Sequence, residues 1–146
     1  MQRMQRMRRT GYSVLELTLV LAIIGLCLAL VAPRFASLRD GASARGAVRE
    51  IGATFSSARQ TAMSRRAMVS VAFDTARGVI ELRCRGQVML HRPLGLIYGV
   101  TVASNRDSAV YDVRGVAYGV SNLTVIVQRG SAVQTLTMSR LGRVRW

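Results

Sequence analysis

From Leu17 to Ala32 the chain carries no charged residue, and back to Tyr12 the only one is Glu16. Spanning a hydrocarbon core of about 30 Å takes roughly 20 apolar residues as a helix, and residues 12–32 meet that length. A charge at the centre of such a helix costs about 2.5 to 3.5 kcal/mol on insertion scales, and less near an end. Against Glu16 stand Val14, Leu15, Leu17, Leu19, Val20, Leu21, Ile23, Ile24, Leu26, Leu28, Leu30 and Val31, each contributing roughly −0.3 to −0.6 kcal/mol. The segment is therefore expected to insert in spite of its acid, and an acid that insertion must overcome is by default a functional residue with a partner.

Ahead of the segment lies a short leader with Arg3, Arg6, Arg8 and Arg9, no acid, and Gly11 at its end. An ordinary secretory signal would need small residues after the apolar run. The best offer, Leu30-Val31-Ala32 before Pro33, has a bulky residue and a badly placed proline. A plain single-pass anchor is also compatible. The charge rule does not fix its orientation, because Arg34, Arg39, Arg45 and Arg49 follow the span as four arginines precede it.

Basic leader, glycine, aromatic residue, and an acid at the fifth place of an apolar helix: this pattern resembles the class III signal of type IV pilins and of the pseudopilins of type II secretion. The resemblance implies that a prepilin peptidase cuts between Gly11 and Tyr12 on the cytoplasmic side and methylates the Tyr12 amine. The usual first residue of the family is Phe, so Tyr12 departs mildly from the pattern. Pro33 lies where such helices commonly carry a proline. Methylation keeps the amine positive, and Glu16 stands one helical turn away, so its carboxylate is placed to pair with its own amine or with that of an adjacent subunit. The family's reading is the second, with the acid setting axial register.

The 146 residues suffice for one domain beside a membrane helix. Formal charge is +14, from 21 basic and 7 acidic residues; without the four arginines of residues 1–11 it would be +10. A basic chain suggests nucleic acid, acidic lipid or an acidic partner. All 21 basic residues are Arg, however, and complete exclusion of Lys also looks like genomic base bias. Cys27 lies in the apolar span and Cys84 in a later polar segment, so both read as free thiols.

After Pro33 a helical period continues through Phe35, Leu38, Ala42, Val48, Ile51, Phe55, Ala58 and Ala62. Gly41, Gly46 and Gly52, each costing about 1 kcal/mol relative to Ala, mark places where the helix is expected to bend or melt. Near Ala67 the period changes to alternation. Strands are expected around Val69 to Phe73, Ile80 to Cys84, Val88 to Leu90, Ile97 to Val102, Ala109 to Val113, Leu123 to Gln128 and Ala132 to Met138, with a tight turn at Arg129-Gly130-Ser131. The expected fold is α+β: a long amino-terminal helix, transmembrane in its first half, packed on an antiparallel β-sheet domain. Its parts are a cleaved leader (1–11), an assembly helix (12–33), an amphipathic continuation (34–66) and a β-sheet domain (67–146).

Asp112-Val-Arg-Gly115-Val-Ala-Tyr-Gly119, and Leu136-Thr-Met-Ser-Arg-Leu-Gly142-Arg-Val-Arg, resemble the carboxy-terminal pattern of the GspH/FimT family of minor pseudopilins and pilins. What this implies is a minor pseudopilin of the type II secretion pseudopilus: inner membrane, single pass, soluble domain in the periplasm, with the major pseudopilin and other minor pseudopilins as partners. The alternative is a FimT-like minor pilin contacting DNA through Gly142-Arg143-Val144-Arg145. In a strand Arg143 and Arg145 would share one side, and Arg140 and Arg129 would widen the patch. No cofactor or metal site is expected. HExxH, phosphate-loop and nucleophile-elbow patterns are missing, and the one histidine, His91, reads as an exposed loop residue, so an enzyme is the poorest hypothesis.

Overall fold

The computed structural model describes residues 12–118, 122–139 and 142–146; the leader with Gly11, as well as Gly119 and Arg140, lie outside them. Two compact units divide the chain, Met1–Ala36 and Ser37–Trp146. Helix α1, Val14–Arg65, contributes to both.

In the first unit α1 is apolar all round, and every side chain described from Val14 to Val31 is exposed. By length and composition this helix is able to cross a membrane. In the second unit it turns amphipathic. Ala44, Ala47, Val48, Ile51, Thr54, Phe55, Ala58 and Ala62 recur at three or four and are buried. Thr54 is tolerated there because its hydroxyl donates to the Glu50 carbonyl at 2.9 Å. The stripe starts later than the sequence suggests: Phe35 and Leu38 are 67% and 65% exposed, and Ala42 is exposed too. The helix closes at Arg66, which takes φ of 45° while the Ala67 N–H returns to the Ala62 carbonyl at 3.2 Å. That six-to-one bond is the Schellman stop, here made without glycine.

No melting interrupts α1 at its glycines, contrary to expectation. Gly46 and Gly52 serve packing instead. A Cβ at Gly46 would lie 2.8 Å from the Tyr98 ring, and one at Gly52 would lie 2.8 Å from the Trp146 ring. Absence of a side chain lets each ring close on the helix.

Among the described residues, alternation then builds nine strands in two antiparallel sheets. β1 (Val69–Asp74), β2 (Val79–Cys84), β3 (Gln87–Pro93), β5 (Ser108–Tyr111) and β6 (Ala117–Tyr118) form one, in the order β3-β2-β1-β5-β6. β4 (Thr101–Ser104), β7 (Leu123–Arg129), β8 (Ala132–Met138) and β9 (Val144–Arg145) form the other, in the order β4-β7-β8-β9. Their inward residues meet the buried helix stripe in one core. Phe55 is its hub, 6.0 Å from the Phe73 ring and 6.5 Å from the Tyr111 ring, distances at which aromatic pairs add to area burial.

One expected strand is wrong in part. Ile97 and Tyr98 belong to a short helix, α2 (Leu94–Tyr98), and the strand starts only at Thr101. Gly99, at φ of 63°, returns its N–H to the Gly95 carbonyl at 2.9 Å and so closes a helical turn. A five-residue helix, with only three residues between Gly95 and Gly99, carries too little periodicity to show this in sequence.

Two polar devices pin the second unit. Arg129 donates from Nε to Asp40 at 3.0 Å and from Nη1 to Ser43 at 3.0 Å and to the Tyr98 carbonyl, so one guanidinium joins α1, α2 and the end of β7. With side-chain exposures of 21% for Arg129 and 25% for Asp40, the pair is partly shielded from water. Meanwhile Asp112 builds the loop after β5: its carboxylate accepts the N–H groups of Arg114 and Val116 at 2.9 Å each and the Arg114 Nε at 3.0 Å. The Val116 N–H above all, then Arg114, holds its carboxyl below the ordinary value of 3.8.

Arg129→Ala should cost about 2 kcal/mol, since charge-assisted hydrogen bonds are lost and Asp40 is stranded. For a domain of this size that is a fall of roughly 8 °C in the thermal midpoint, read by circular dichroism. For Asp112 the folded carboxyl binds its proton less readily than the unfolded one. Its stabilisation is complete above 3.8 and disappears as pH drops through the lower folded value. Asp112→Asn keeps an acceptor without titrating, so melting followed from about pH 5 down to about pH 2 should show a shallower acid limb than the parent.

Candidate functional site

At its amino end α1 is capped by Ser13, whose hydroxyl accepts the Leu15 N–H at 3.3 Å. The Leu17 N–H reaches the Ser13 carbonyl at 3.1 Å, and the Thr18 hydroxyl donates to the Leu15 carbonyl at 2.8 Å. Glu16 is in the first turn, where the unsatisfied N–H groups favour negative charge. Ser13-Val14-Leu15-Glu16 also has capping-box spacing, in which the acid reaches back toward the cap N–H. Ser13 is the residue the sequence reading missed, and its spacing to Glu16 was the signal. Tyr12 precedes the helix and is 78% exposed. Beyond this turn the surface of residues 14–31 carries no charge; its polar side chains are Thr18, whose hydroxyl is turned back on the Leu15 carbonyl, and the Cys27 thiol, and the rest are able only to pack against other apolar matter.

A second feature is the terminal strand. β9 pairs with β8 through Thr137 opposite Arg145 and Met138 opposite Val144. The return is made at Gly142, where φ is 73°, the N–H donates to the Ser139 carbonyl at 2.9 Å, and a Cβ would stand 3.1 Å from the Tyr111 ring. Gly142 thus has a backbone reason to be glycine. Tyr111 behind it is fully buried, with burial pushing its phenol up to about 12 and its hydroxyl 3.1 Å from the Met138 sulfur.

Strand alternation then separates the tail. Val144 packs against the core and the Trp146 ring abuts Gly52, while Arg143 and Arg145 are exposed. Both arginines line an open groove of about 560 Å³ with Asn122, Thr124, Thr137, Met138 and Ser139. None of the described residues lining it carries a carboxylate side chain. Arg59 joins the same two arginines along a neighbouring groove of about 360 Å³. Arg143 and Arg145, expected to share one side of a strand, line the same grooves, although β9 itself begins only at Val144. Arg129, by contrast, does not extend the patch, because its guanidinium is committed to Asp40, Ser43 and the Tyr98 carbonyl. Arg140 lies outside the described residues.

His91 is not a loop residue. It sits on β3 opposite Glu81, with Nδ1 3.0 Å from Oε1 of that carboxylate. Arg83 also holds Glu81, at 2.6 Å, and these two partners, Arg83 first, lower the Glu81 carboxyl below its ordinary range. Cys27 is exposed on the apolar helix, and Cys84 is buried on β2. Among the described residues no group of three or more His, Cys, Asp or Glu side chains is arranged to hold a metal ion.

No family model matches the sequence, and no curated protein matches it. Solved structures do. The chain is similar to the type IV minor pilin FimU of Pseudomonas aeruginosa in two crystal forms. One is 16% identical with a TM-score of 0.58, covering 69% of this chain and 85% of that one. The other is 15% identical with a TM-score of 0.57, covering 69% and 90%. This protein therefore has the type IV pilin fold: a long amino-terminal helix, apolar in its first half, continuing into a domain of antiparallel sheets.

Proposed function

We propose that the chain is a minor subunit of a pilin-type filament, assembled through residues 14–31 of α1. The observation that carries this reading is a helix apolar around its whole circumference, all of it exposed, led by a single acid in the first turn and attached to a pilin fold. In this reading a prepilin peptidase cuts between Gly11 and Tyr12 and methylates the Tyr12 amine. The subunit then rests in the bacterial inner membrane with its second unit in the periplasm. Assembly moves the apolar helix from lipid to the flanks of sister helices, where dispersion and close packing replace lipid contact. Glu16, too costly to leave unpaired among those helices, is satisfied by the amine of an adjacent subunit and so fixes axial register. The filament we favour is the pseudopilus of type II secretion, with the major pseudopilin and other minor pseudopilins as neighbours.

A second reading, a FimT-like minor pilin of a type IV pilus that contacts DNA, is favoured by the exposed Arg143 and Arg145 lining one groove in which no described residue carries a carboxylate side chain. Their guanidiniums suit bidentate contact with phosphate.

Glu16→Ala should leave membrane insertion and leader removal intact while abolishing recovery of the subunit in sheared filaments; undiminished recovery would sink the register role. For DNA contact, the soluble part from Ser37 should retard duplex DNA at low salt. Arg143→Ala with Arg145→Ala should weaken binding and lower the salt slope by about two. Absence of retardation at low salt would end that reading.

A further inference from the structure

Beside β9 lies an aromatic surface that the filament reading leaves unused. Trp146, 66% exposed, rests on α1 by one edge of its indole: a Cβ at Gly52 would lie 2.8 Å from its Cζ3 and 3.2 Å from its Cη2. A ring seated by its edge and two-thirds exposed leaves at least one flat face open to water. The bare backbone of Gly52 is what lets it sit there.

Charge of one sign gathers around this ring. Trp146, Arg59, Arg143 and Arg145 line the groove of about 360 Å³ between α1 and the tail. The two tail arginines are shared with the groove of about 560 Å³, whose other lining residues include Asn122, Thr124, Thr137 and Ser139. Arg59 is positioned by its stem, since a Cβ at Gly115 would stand 3.0 Å from its Cγ. Among the described residues Arg77, Arg83, Arg92, Arg114 and Arg129 are ion-paired, whereas Arg59, Arg143 and Arg145 are not. No described residue lining either groove carries a carboxylate side chain.

We propose that the two grooves form one track for single-stranded nucleic acid, with a base stacked on Trp146 and phosphates held by Arg59, Arg143 and Arg145. Thr124, Thr137 and Asn122 carry hydroxyl and amide groups suited to phosphate and sugar oxygens. The proposal rests on the DNA-contact reading above and narrows it to the unpaired strand. In a duplex both faces of a base are covered by its neighbours, so an exposed indole finds a stacking partner only where bases are free. Grooves of this volume hold a molecule of drug size, which is the size of a nucleotide; a duplex would meet only their rims. An acidic protein would answer the arginines too. Trp146, however, is the one large apolar side chain exposed among the described lining residues, so the apolar centre of a protein interface is missing.

Trp146 is the only tryptophan of the chain, so its fluorescence reads this site without a label and without interference from arginines elsewhere. The full chain in an uncharged detergent is titrated at low salt with a short oligothymidylate, a duplex of equal length, an abasic strand of equal length, and polyglutamate. Oligothymidylate should quench the emission saturably and at several-fold lower concentration than the duplex, while the abasic strand should bind more weakly and quench little. Arg59→Ala should lower the salt slope by about 0.7, the share of one phosphate on a single strand. Followed by anisotropy of a labelled oligomer, Trp146→Ala should lose about tenfold in affinity and Trp146→Phe, which keeps a ring, should lose little. Duplex quenching at the same concentration as the single strand, or single strand bound without quenching, overturns the proposal and leaves the DNA reading standing. Absence of binding by either at low salt overturns both. Quenching by the abasic strand or by polyglutamate equal to that by oligothymidylate overturns base stacking and identifies a surface for polyanions or acidic proteins. Should Trp146→Ala unfold the chain, the abasic comparison in the unaltered protein decides.

Discussion

Uncovered apolar surface is the constraint on which everything else in this protein depends. Twelve Val, Leu and Ile side chains between Val14 and Val31 are exposed. At about 2 kcal/mol for each one buried, hiding them from water is worth on the order of 20 kcal/mol. A whole domain is stable by only about 5 to 15 kcal/mol. No folding energy of the second unit offsets such exposure in water, so the helix must live in lipid or against other helices. Pilin-type assembly answers this by exchanging one apolar environment for another. In the assembly proposed above, Glu16 is the one charged group of the segment and so the group by which axial positions would be told apart.

The second unit is built on the opposite logic. Helix, core and sheets close on themselves around Phe55, and the remaining polar groups are spent locally, in the Asp112 loop, the Arg129 junction and the Glu81 pair on the outer face of the first sheet. What is left free is arginine. Arg143 and Arg145 stand exposed on either side of Val144, which packs against the core, while Trp146 lays one edge of its ring on Gly52 and stays exposed. A surface of exposed guanidiniums attracts phosphate wherever it meets it, and the two grooves beside β9 offer such a surface.

Helix and strand content was legible because the period changes cleanly near Ala67, and the turns at Asp74 to Gly78 and Arg129 to Ser131 carry their own residue chemistry. The end of α1 at Arg66 was legible from that change of period alone, since a Schellman stop without glycine has no marker in composition. Turn α2 was misread as strand because five residues show no period, and its closure depends on a hydrogen bond between two glycines. His91 was placed in a loop because its neighbour is Pro93, yet Pro93 is the last residue of an edge strand, where a proline without an N–H does no harm.

By itself the sequence determined that the first half of α1 is a lipid-length apolar rod with one acid, because hydropathy is a property of each side chain and adds along the chain. It also determined that Arg143 and Arg145 share a side, because alternation is inherent to an extended backbone. Only the tertiary structure decided which arginines are free. Arg129 looks in sequence like any other turn arginine, but folding brings Asp40 and Ser43, some ninety residues earlier, against it. Likewise Gly46 and Gly52 read as weak points of a helix until the rings of Tyr98 and Trp146 arrive from distant parts of the chain. Contacts of that kind depend on which distant segments share the core, and no local pattern encodes them.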